Sequence, residues 1–227
     1  MDSVLRPLFT VHFLARMAGM TTSYNAIAGQ NVERLAALSD GIFGVAMTLL
    51  LLKLDVPDHK NIASEHDLLR ALAANGPALL VYLMSFMTLG IFWVGQQSQL
   101  NHLSRSDRHL TWIHLAFLFA VTVVPFSTQL LTQYIAFRTA LIVYWLNIVV
   151  LGWVLFVCWM RATRAALVKP EVSPRTCDAI FKRIVYAQAL YAVGAGLCIF
   201  STSWSIAFIV AVQLNYAIAP SLGWRKI

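Results

Sequence analysis

Six long apolar segments alternate with short polar stretches along the chain. They cover about residues 35–52, 77–96, 110–131, 139–160, 184–200 and 205–219. A helix needs roughly 20 mostly apolar residues to cross a bilayer, so segments of this length predict membrane-spanning helices. The pattern therefore predicts an all-α, polytopic membrane protein with six transmembrane helices per subunit.

The composition supports this prediction and leaves little of the chain outside the membrane. Of the 227 residues, 59% are hydrophobic and only 12% are charged, whereas soluble domains carry about 25% charged residues. We expect one six-helix transmembrane domain over residues 34–220, flanked by short segments at 1–33 and 221–227. No separate soluble domain fits in the remaining length.

The net charge of +7 comes from basic residues near the ends of the predicted helices. Such residues set membrane topology, so they do not indicate nucleic-acid binding. Thirteen of the 17 Lys and Arg residues fall on the side that holds both termini. Because cytoplasmic loops are enriched in Lys and Arg, we expect a multi-pass protein of the cell inner membrane with both termini in the cytoplasm.

The sequence shows no motif for enzymatic chemistry or a resident cofactor. It lacks a Gly-rich phosphate loop, a zinc signature and a Ser-His-Asp arrangement. The three cysteines have no paired spacing, and the histidines at 102, 109 and 114 have no acidic or Cys partners at ligand spacing. Packing roles are therefore predicted for them, and we expect no enzyme and no cofactor.

One carboxylate interrupts the first predicted span. Asp40 lies near the start of a run that is otherwise apolar to residue 52, and a charge inside a membrane is costly unless it is paired, hydrogen-bonded or hydrated. Arg34, one and a half turns earlier, is one candidate partner, and an indole or amide from another helix is the alternative. The polar candidates in or beside other spans are Trp93, Gln96, Gln97, Trp112, His114 and Asn147.

The first span also has two distinct faces. One is a stripe of aliphatic side chains with a single hydroxyl, formed by Val45, Thr48, Leu49 and Leu52. At about 100° per residue, Asp40 lies about 140° away from this stripe, so Ser39 and Asp40 are expected to face neighbouring helices. Two roles stay open for Asp40, a structural network or a direct ion site. The stripe itself is also what a lipid-facing or packing surface presents.

Three short motifs occur in order along the first 130 residues. They contain Arg34, Leu38, Ser39, Asp40 and Gly41; then Trp93, Gln96 and Gln97; then Arg105, Asp107, Leu110, Trp112, Leu115, Phe117, Pro125, Phe126, Ser127 and Thr128. Together they resemble the prokaryotic transmembrane protein 175 family, potassium channels related to the lysosomal potassium channel of animals. The helices after the third match only in number and hydropathy.

The chain departs from the family pattern at five positions, one of which is Val45, a smaller residue than the usual Ile or Leu. Leu38 replaces the Phe of the Phe-Ser-Asp motif, which keeps the packing volume but loses the ring. Gln96 and Gln97 replace a histidine pair, and His114 stands where an asparagine is usual. These changes put the family's network, or its response to pH, in question for this chain.

The resemblance implies a passive potassium-selective or weakly selective cation channel, with no metal beyond the permeating cations. It implies a homotetramer in the bilayer whose pore lies on the fourfold axis and is lined by the first helix. The family's pore-narrowing positions correspond here to Val45, Thr48, Leu49 and Leu52, a hydrophobic gate that can close by dewetting. The implied structural network consists of Arg34, Leu38, Ser39, Asp40, Trp93, Gln96, Gln97 and His114.

Two alternatives remain open at this point. The first is a proton- or cation-coupled secondary transporter that uses Asp40, and the second is a non-conducting membrane scaffold or a membrane enzyme that uses His and Asp groups. Transporters usually contain internal repeats and paired Gly or Pro interruptions near the midplane. The sequence shows neither feature, which favours the channel.

Overall fold

The computed structural model describes residues 31–52, 54, 56–58 and 62–218. Within them the helices are α1 (Val32–Leu51), α2 (Glu65–Ala74), α3 (Gly76–Asn101), α4 (Arg108–Gln133), α5 (Arg138–Arg164), α6 (Pro174–Gly196) and α7 (Thr202–Ile218), with a 3-10 turn (Leu197–Ile199) before α7. The predicted all-α class is confirmed. The predicted terminal segments, residues 1–33 and 221–227, lie outside the described residues except for residues 31–33.

Polar side chains cap the first turn of several helices. Asn31, Ser64, Asp107 and Ser173 each accept a hydrogen bond from the backbone N–H three residues later. Each cap satisfies an N–H group that has no partner inside the helix, which fixes where the helix begins.

Four helices are long and apolar enough to cross a membrane by length and composition: α1, α3, α4 and α5. They correspond to the first four predicted spans. The fifth predicted span begins too late, because α6 starts at Pro174 and not near residue 184. The first turns of α6 carry basic side chains, so the hydropathy pattern does not include them in the apolar segment. Helix α6 carries several basic residues and α7 covers only 17 residues. By length and composition, neither is among the four candidate spans.

Helices α4 and α5 form the centre of the bundle. Helix α1 packs against α3 and α4 on one side, while α6 and α7 pack against each other and against α5 and α3 on the other side. The ring of Phe117 lies 6.0 Å from that of Phe43 on α1 and 6.4 Å from that of Phe92 on α3. Between membrane helices such contacts stabilise through close packing, since lipid tails are as apolar as the side chains.

Pro125 lies inside α4, where proline removes a backbone donor and its ring disturbs the preceding turn. Asn147 of α5 reaches this turn. In the orientation that satisfies its amide, Asn147 donates to Ala120 O and accepts from Val124 N, both at 3.2 Å. The amide of one helix therefore satisfies backbone groups of its neighbour, as membrane helices containing proline require.

The loops at one end of the bundle are joined by polar contacts. Asp107 forms an ion pair with Arg161 near the end of α5, and Leu103 pairs with Val168 in an isolated antiparallel bridge. Burial raises the pKa of Asp107, but the hydrogen bond from Leu110 N and the charge of Arg161 outweigh it. The pKa of Asp107 therefore lies below its usual value.

Candidate functional site

Helix α1 has one buried and one open face within the protomer. The buried residues are Leu35, Ser39, Phe43, Ala46 and Leu50. Val45, Leu49 and Leu52 are 58%, 40% and 75% exposed, and Thr48 is exposed between them. We call Val45, Thr48, Leu49 and Leu52 the exposed stripe, since the described part of the protomer leaves it uncovered.

Ser39 is fully buried and joins α1 to α3 and α4. Its hydroxyl donates to Leu35 O at 2.7 Å. Gln96 Nε2 donates to the same oxygen at 2.9 Å, and His114 Nε2 lies 2.8 Å from it. Gln96 Nε2 also lies 3.3 Å from His114 Nε2, so the tautomer of His114 decides which of these groups donates.

Asp40 is joined to α3 by two donors. Trp93 Nε1 donates to Asp40 Oδ1 at 2.8 Å, and Gln97 Nε2 donates to the same oxygen at 2.6 Å. An indole and an amide therefore stabilise the carboxylate, which is one of the two arrangements that the sequence left open. Hydrogen bonds to a charged acceptor are stronger than neutral ones. We call Ser39, Asp40, Trp93, Gln96, Gln97 and His114 the Ser39 cluster.

Ser39 and Asp40 both contact a neighbouring helix, as expected, although they point about 100° apart; Ser39 is buried and Asp40 is exposed. Two other sequence-based expectations about this site differ from the structure. Arg34 is exposed and is not the partner of Asp40. Leu38 is 44% exposed and has no polar atom to offer. It lies seven residues before Val45, so it extends the exposed stripe and does not join the Ser39 cluster.

Trp112, another proposed partner, does not reach the site. Its side chain is 63% exposed on α4. Asn147 is also elsewhere, since it contacts the proline turn of α4.

A second buried polar group was not predicted from the sequence. Thr88 Oγ1 lies 3.0 Å from Tyr144 Oη and accepts from Gln213 Nε2 at 2.7 Å. Gln213 Nε2 also donates to Tyr191 Oη at 3.1 Å, and Thr128 donates to Ser85 Oγ at 2.9 Å. We call this group the Thr88 cluster; it consists of Ser85, Thr88, Thr128, Tyr144, Tyr191 and Gln213. Among these residues, Gln213 alone could have been recognised from the sequence, because an amide inside an apolar helix needs a hydrogen-bond partner.

Residues that could hold a metal or cofactor are not grouped together in the described chain. In residues 31–52 and 62–218 no three His, Cys, Asp or Glu side chains are placed to share a metal ion. The cysteines at 158, 177 and 198 are free thiols. The chemistry available at α1 is therefore that of one carboxylate, neutral hydrogen-bonding groups and an aliphatic surface.

Known proteins similar in sequence are channels. Residues 34–125 match the family described as endosomal/lysosomal potassium channel TMEM175. A protein of Streptomyces collinus named a potassium channel is 31% identical over 188 residues, which cover 81% of this chain and 90% of that protein. A human protein named endosomal/lysosomal proton channel TMEM175 is 33% identical over 102 residues, which cover 43% of this chain and 20% of the human protein.

A solved structure extends the similarity to the fold. The crystal structure of a protein from Chamaesiphon minutus, described as a lysosomal potassium-selective channel TMEM175 homolog, matches with a TM-score of 0.71 at 29% identity. The match covers 82% of this chain and 96% of that one. The matches cover most of the chain, and they agree with the Ser39 cluster and the exposed stripe. The chain therefore belongs to the TMEM175 family of ion channels.

Proposed function

We propose that this protein is a passive potassium channel, and not an enzyme, in which α1 helices of four protomers surround the pore. The observation that carries the proposal is the exposed stripe. It is a row of apolar side chains on a helix whose other face is held by the Ser39 cluster. Relatives that cover most of the chain are named potassium channels, which supports K⁺ as the permeating ion.

The exposed stripe supplies the narrow part of the proposed pore. Val45 and Leu52 are seven residues apart, so their rings lie about 10 Å from each other along the axis. Cations pass such rings by partial dehydration, and the pore closes when the rings dewet. Thr48 donates to Val45 O at 2.8 Å, so its oxygen lone pairs are directed away from that bond and face the permeating ions.

The Ser39 cluster fixes the rotation of α1 about its axis. Ser39 and Asp40 both bind α3, and they lie 100° apart on the helix. Two such attachments determine which side of α1 faces the centre. Asp40 therefore positions the pore helix, and its charge is held by Trp93 and Gln97.

Small residues on α1 support contact with a neighbouring protomer. Gly41 and Gly44 are exposed, and a Cβ added to either would meet no atom of the described protomer. Ala37 is also exposed, four residues before Gly41. Small residues spaced in this way let membrane helices approach closely, which fits a homotetramer with α1 at its axis.

The proposed membrane arrangement uses six spans. Helices α6 and α7 join α1, α3, α4 and α5 as spans, and the excess of Lys and Arg near one end favours a cytoplasmic location for both termini. In a bacterial cell this corresponds to the inner membrane.

Potassium flux into proteoliposomes tests the proposal. A K⁺ gradient alone should drive rapid flux, and a proton ionophore should act only through charge balance. Val45→Ala and Leu52→Ala should change conductance or selectivity, because each widens a ring of the pore. Leu146→Ala is the matched control, since Leu146 is 49% exposed on α5, away from α1. Unchanged permeation in both α1 variants would contradict the pore assignment.

Proton conduction is the second candidate, since the human relative is named a proton channel. A pH-sensitive dye inside the same proteoliposomes measures it directly. Strict coupling between H⁺ and K⁺ movement that Asp40→Asn abolishes would instead identify a transporter.

A further inference from the structure

A cleft of about 210 Å³ lies between α3, α5, α6 and α7, on the side of α3 away from the Ser39 cluster. Its walls are mostly apolar and include Ile91, Phe92, Leu155, Ile180 and Ile184. These side chains belong to helices that lie in the membrane or are proposed to do so. The cleft is therefore suited to a hydrocarbon chain.

Polar groups line the same cleft. Arg183 and Thr176 of α6, His102 after α3 and Tyr216 of α7 are among the lining residues. The imidazole of His102 donates through Nδ1 to Ser98 O, so its Nε2 is an acceptor and Arg183 is the group that can bind an anion.

Arg183 is a partly buried cation. Its guanidinium carbon lies 4.9 Å from the centre of the Tyr216 ring, which gives a cation–π contact but no opposite charge. In residues 31–52 and 62–218, the carboxylate of Asp107 forms an ion pair with Arg161 and not with Arg183. A partly buried charge between membrane helices is costly without a counter-charge, so an anion bound in the cleft would stabilise Arg183.

This end of the bundle is strongly basic. Its described Lys and Arg residues are Arg34, Arg105, Arg108, Arg161, Arg164, Lys169, Arg175, Lys182 and Arg183, whereas those described at the opposite end are Arg70 and Arg138. Basic pockets between membrane helices bind the head groups of anionic lipids. Charge and shape at the cleft therefore favour the same ligand.

We propose that this cleft binds an anionic phospholipid of the surrounding bilayer. The phosphate contacts the guanidinium of Arg183, and one acyl chain lies along the apolar walls of α3 and α6. A free anion in water would satisfy Arg183 but leave those walls empty. The proposal does not depend on conduction, since it concerns the face of α3 that points away from the pore helix.

The site has a direct packing route to α1. Phe92 lines the cleft and packs on Phe117, which in turn packs on Phe43 of the pore helix. An acyl chain beside Phe92 therefore contacts the same aromatic group that supports α1.

Lipid binding to the full-length protein in detergent tests the proposal by native mass spectrometry. Phosphatidylglycerol should bind more tightly than phosphatidylcholine, and soluble glycerol phosphate should not displace it. Arg183→Gln should raise the dissociation constant for phosphatidylglycerol about fivefold to tenfold. Lys182→Gln is the matched control: it removes one charge from the adjacent, exposed residue and should leave the constant within about twofold.

A second pair of variants tests the acyl-chain part of the site. Ala187→Leu fills the cleft, which Ala187 lines, whereas Ala189→Leu places the same side chain at an exposed position outside it. The first should reduce binding and the second should not. Equal binding of both lipids, equal affinity of Arg183→Gln and Lys182→Gln, or displacement by glycerol phosphate at similar concentration would overturn the proposal.

Discussion

The Ser39 cluster and the Thr88 cluster contain similar groups but join different helices. Both place a fully buried hydroxyl between an amide and a ring: Gln96 and His114 around Ser39, Gln213 and Tyr144 around Thr88. The Ser39 cluster connects α1 to α3 and α4. The Thr88 cluster connects α3 to α4, α5, α6 and α7, and none of its members lies on α1.

This difference separates two roles within one protomer. The Thr88 cluster joins α3, α4, α5, α6 and α7 to one another as a support. The Ser39 cluster attaches the proposed pore helix to that support, and it alone contains a charge. Mutations in the Thr88 cluster should therefore lower the stability of the protein. Mutations in the Ser39 cluster should also change assembly and conduction.

The strongest expected effect comes from Asp40→Ala. The change removes the acceptor that Trp93 and Gln97 share, at a cost of about 0.5–1.5 kcal/mol for each hydrogen bond lost. Because α1 then loses one of its two attachments to α3, the yield of tetramer should fall more than K⁺ selectivity changes. Size-exclusion chromatography and proteoliposome flux measure the two effects.

Asp40→Asn is the control for the charge. It keeps an acceptor oxygen for the same two donors, so assembly should largely recover. A stable Asp40→Ala tetramer with altered selectivity would show that Asp40 acts on the ions directly.

A matched pair of hydroxyl deletions compares the clusters themselves. Ser39→Ala and Thr88→Val each remove one buried oxygen that has several partners, and each should destabilise the protein by about 1–2 kcal/mol. The two variants should therefore show similar losses in thermal stability in detergent. Potassium flux per assembled channel should change only in Ser39→Ala, because only Ser39 lies on α1.

Two results would contradict this comparison. If Thr88→Val alters flux per channel as much as Ser39→Ala, the Thr88 cluster is coupled to the pore. If neither variant lowers thermal stability, the hydrogen bonds of these clusters contribute little within the bilayer.

The sequence predicted the parts of the site that carry an obvious physical cost. Asp40 stood out because a carboxylate in an apolar helix needs partners, and Trp93 and Gln97 were among the candidates named for it. The exposed stripe followed from helical periodicity, and its open position in the protomer agrees with that pattern. Its role in lining a pore stays a prediction.

Other features could not be predicted from periodicity. Ser, Thr and Tyr are common in membrane helices, so Ser85, Thr88, Thr128 and Tyr144 gave no sign that they meet across α3, α4 and α5. The early start of α6 was missed because its first turns are basic and its cap, Ser173, carries no hydropathy signal. The choice of indole and amide over Arg34 as partners of Asp40 depends on tertiary contacts.

The smallest expected effect concerns the ion pair of Asp107 and Arg161, which lies outside both clusters. Its side chains are 24% and 38% exposed, and ion pairs in contact with water contribute only about 0.2–1 kcal/mol. Asp107→Asn keeps a good helix cap but removes the charge. It should therefore lower the melting temperature less than Ser39→Ala or Thr88→Val does.

The pH dependence of the melting temperature tests whether the charge of Asp107 causes this stabilisation. Because the folded protein lowers the pKa of Asp107, the stabilisation is complete above the unfolded value of about 3.9 and is lost as pH falls through the folded value. The difference in melting temperature between wild type and Asp107→Asn should thus be constant near neutral pH and shrink as the pH falls below the unfolded pKa of about 3.9. A difference in melting temperature that stays unchanged in acid would assign the effect to the helix cap and not to the charge of the ion pair.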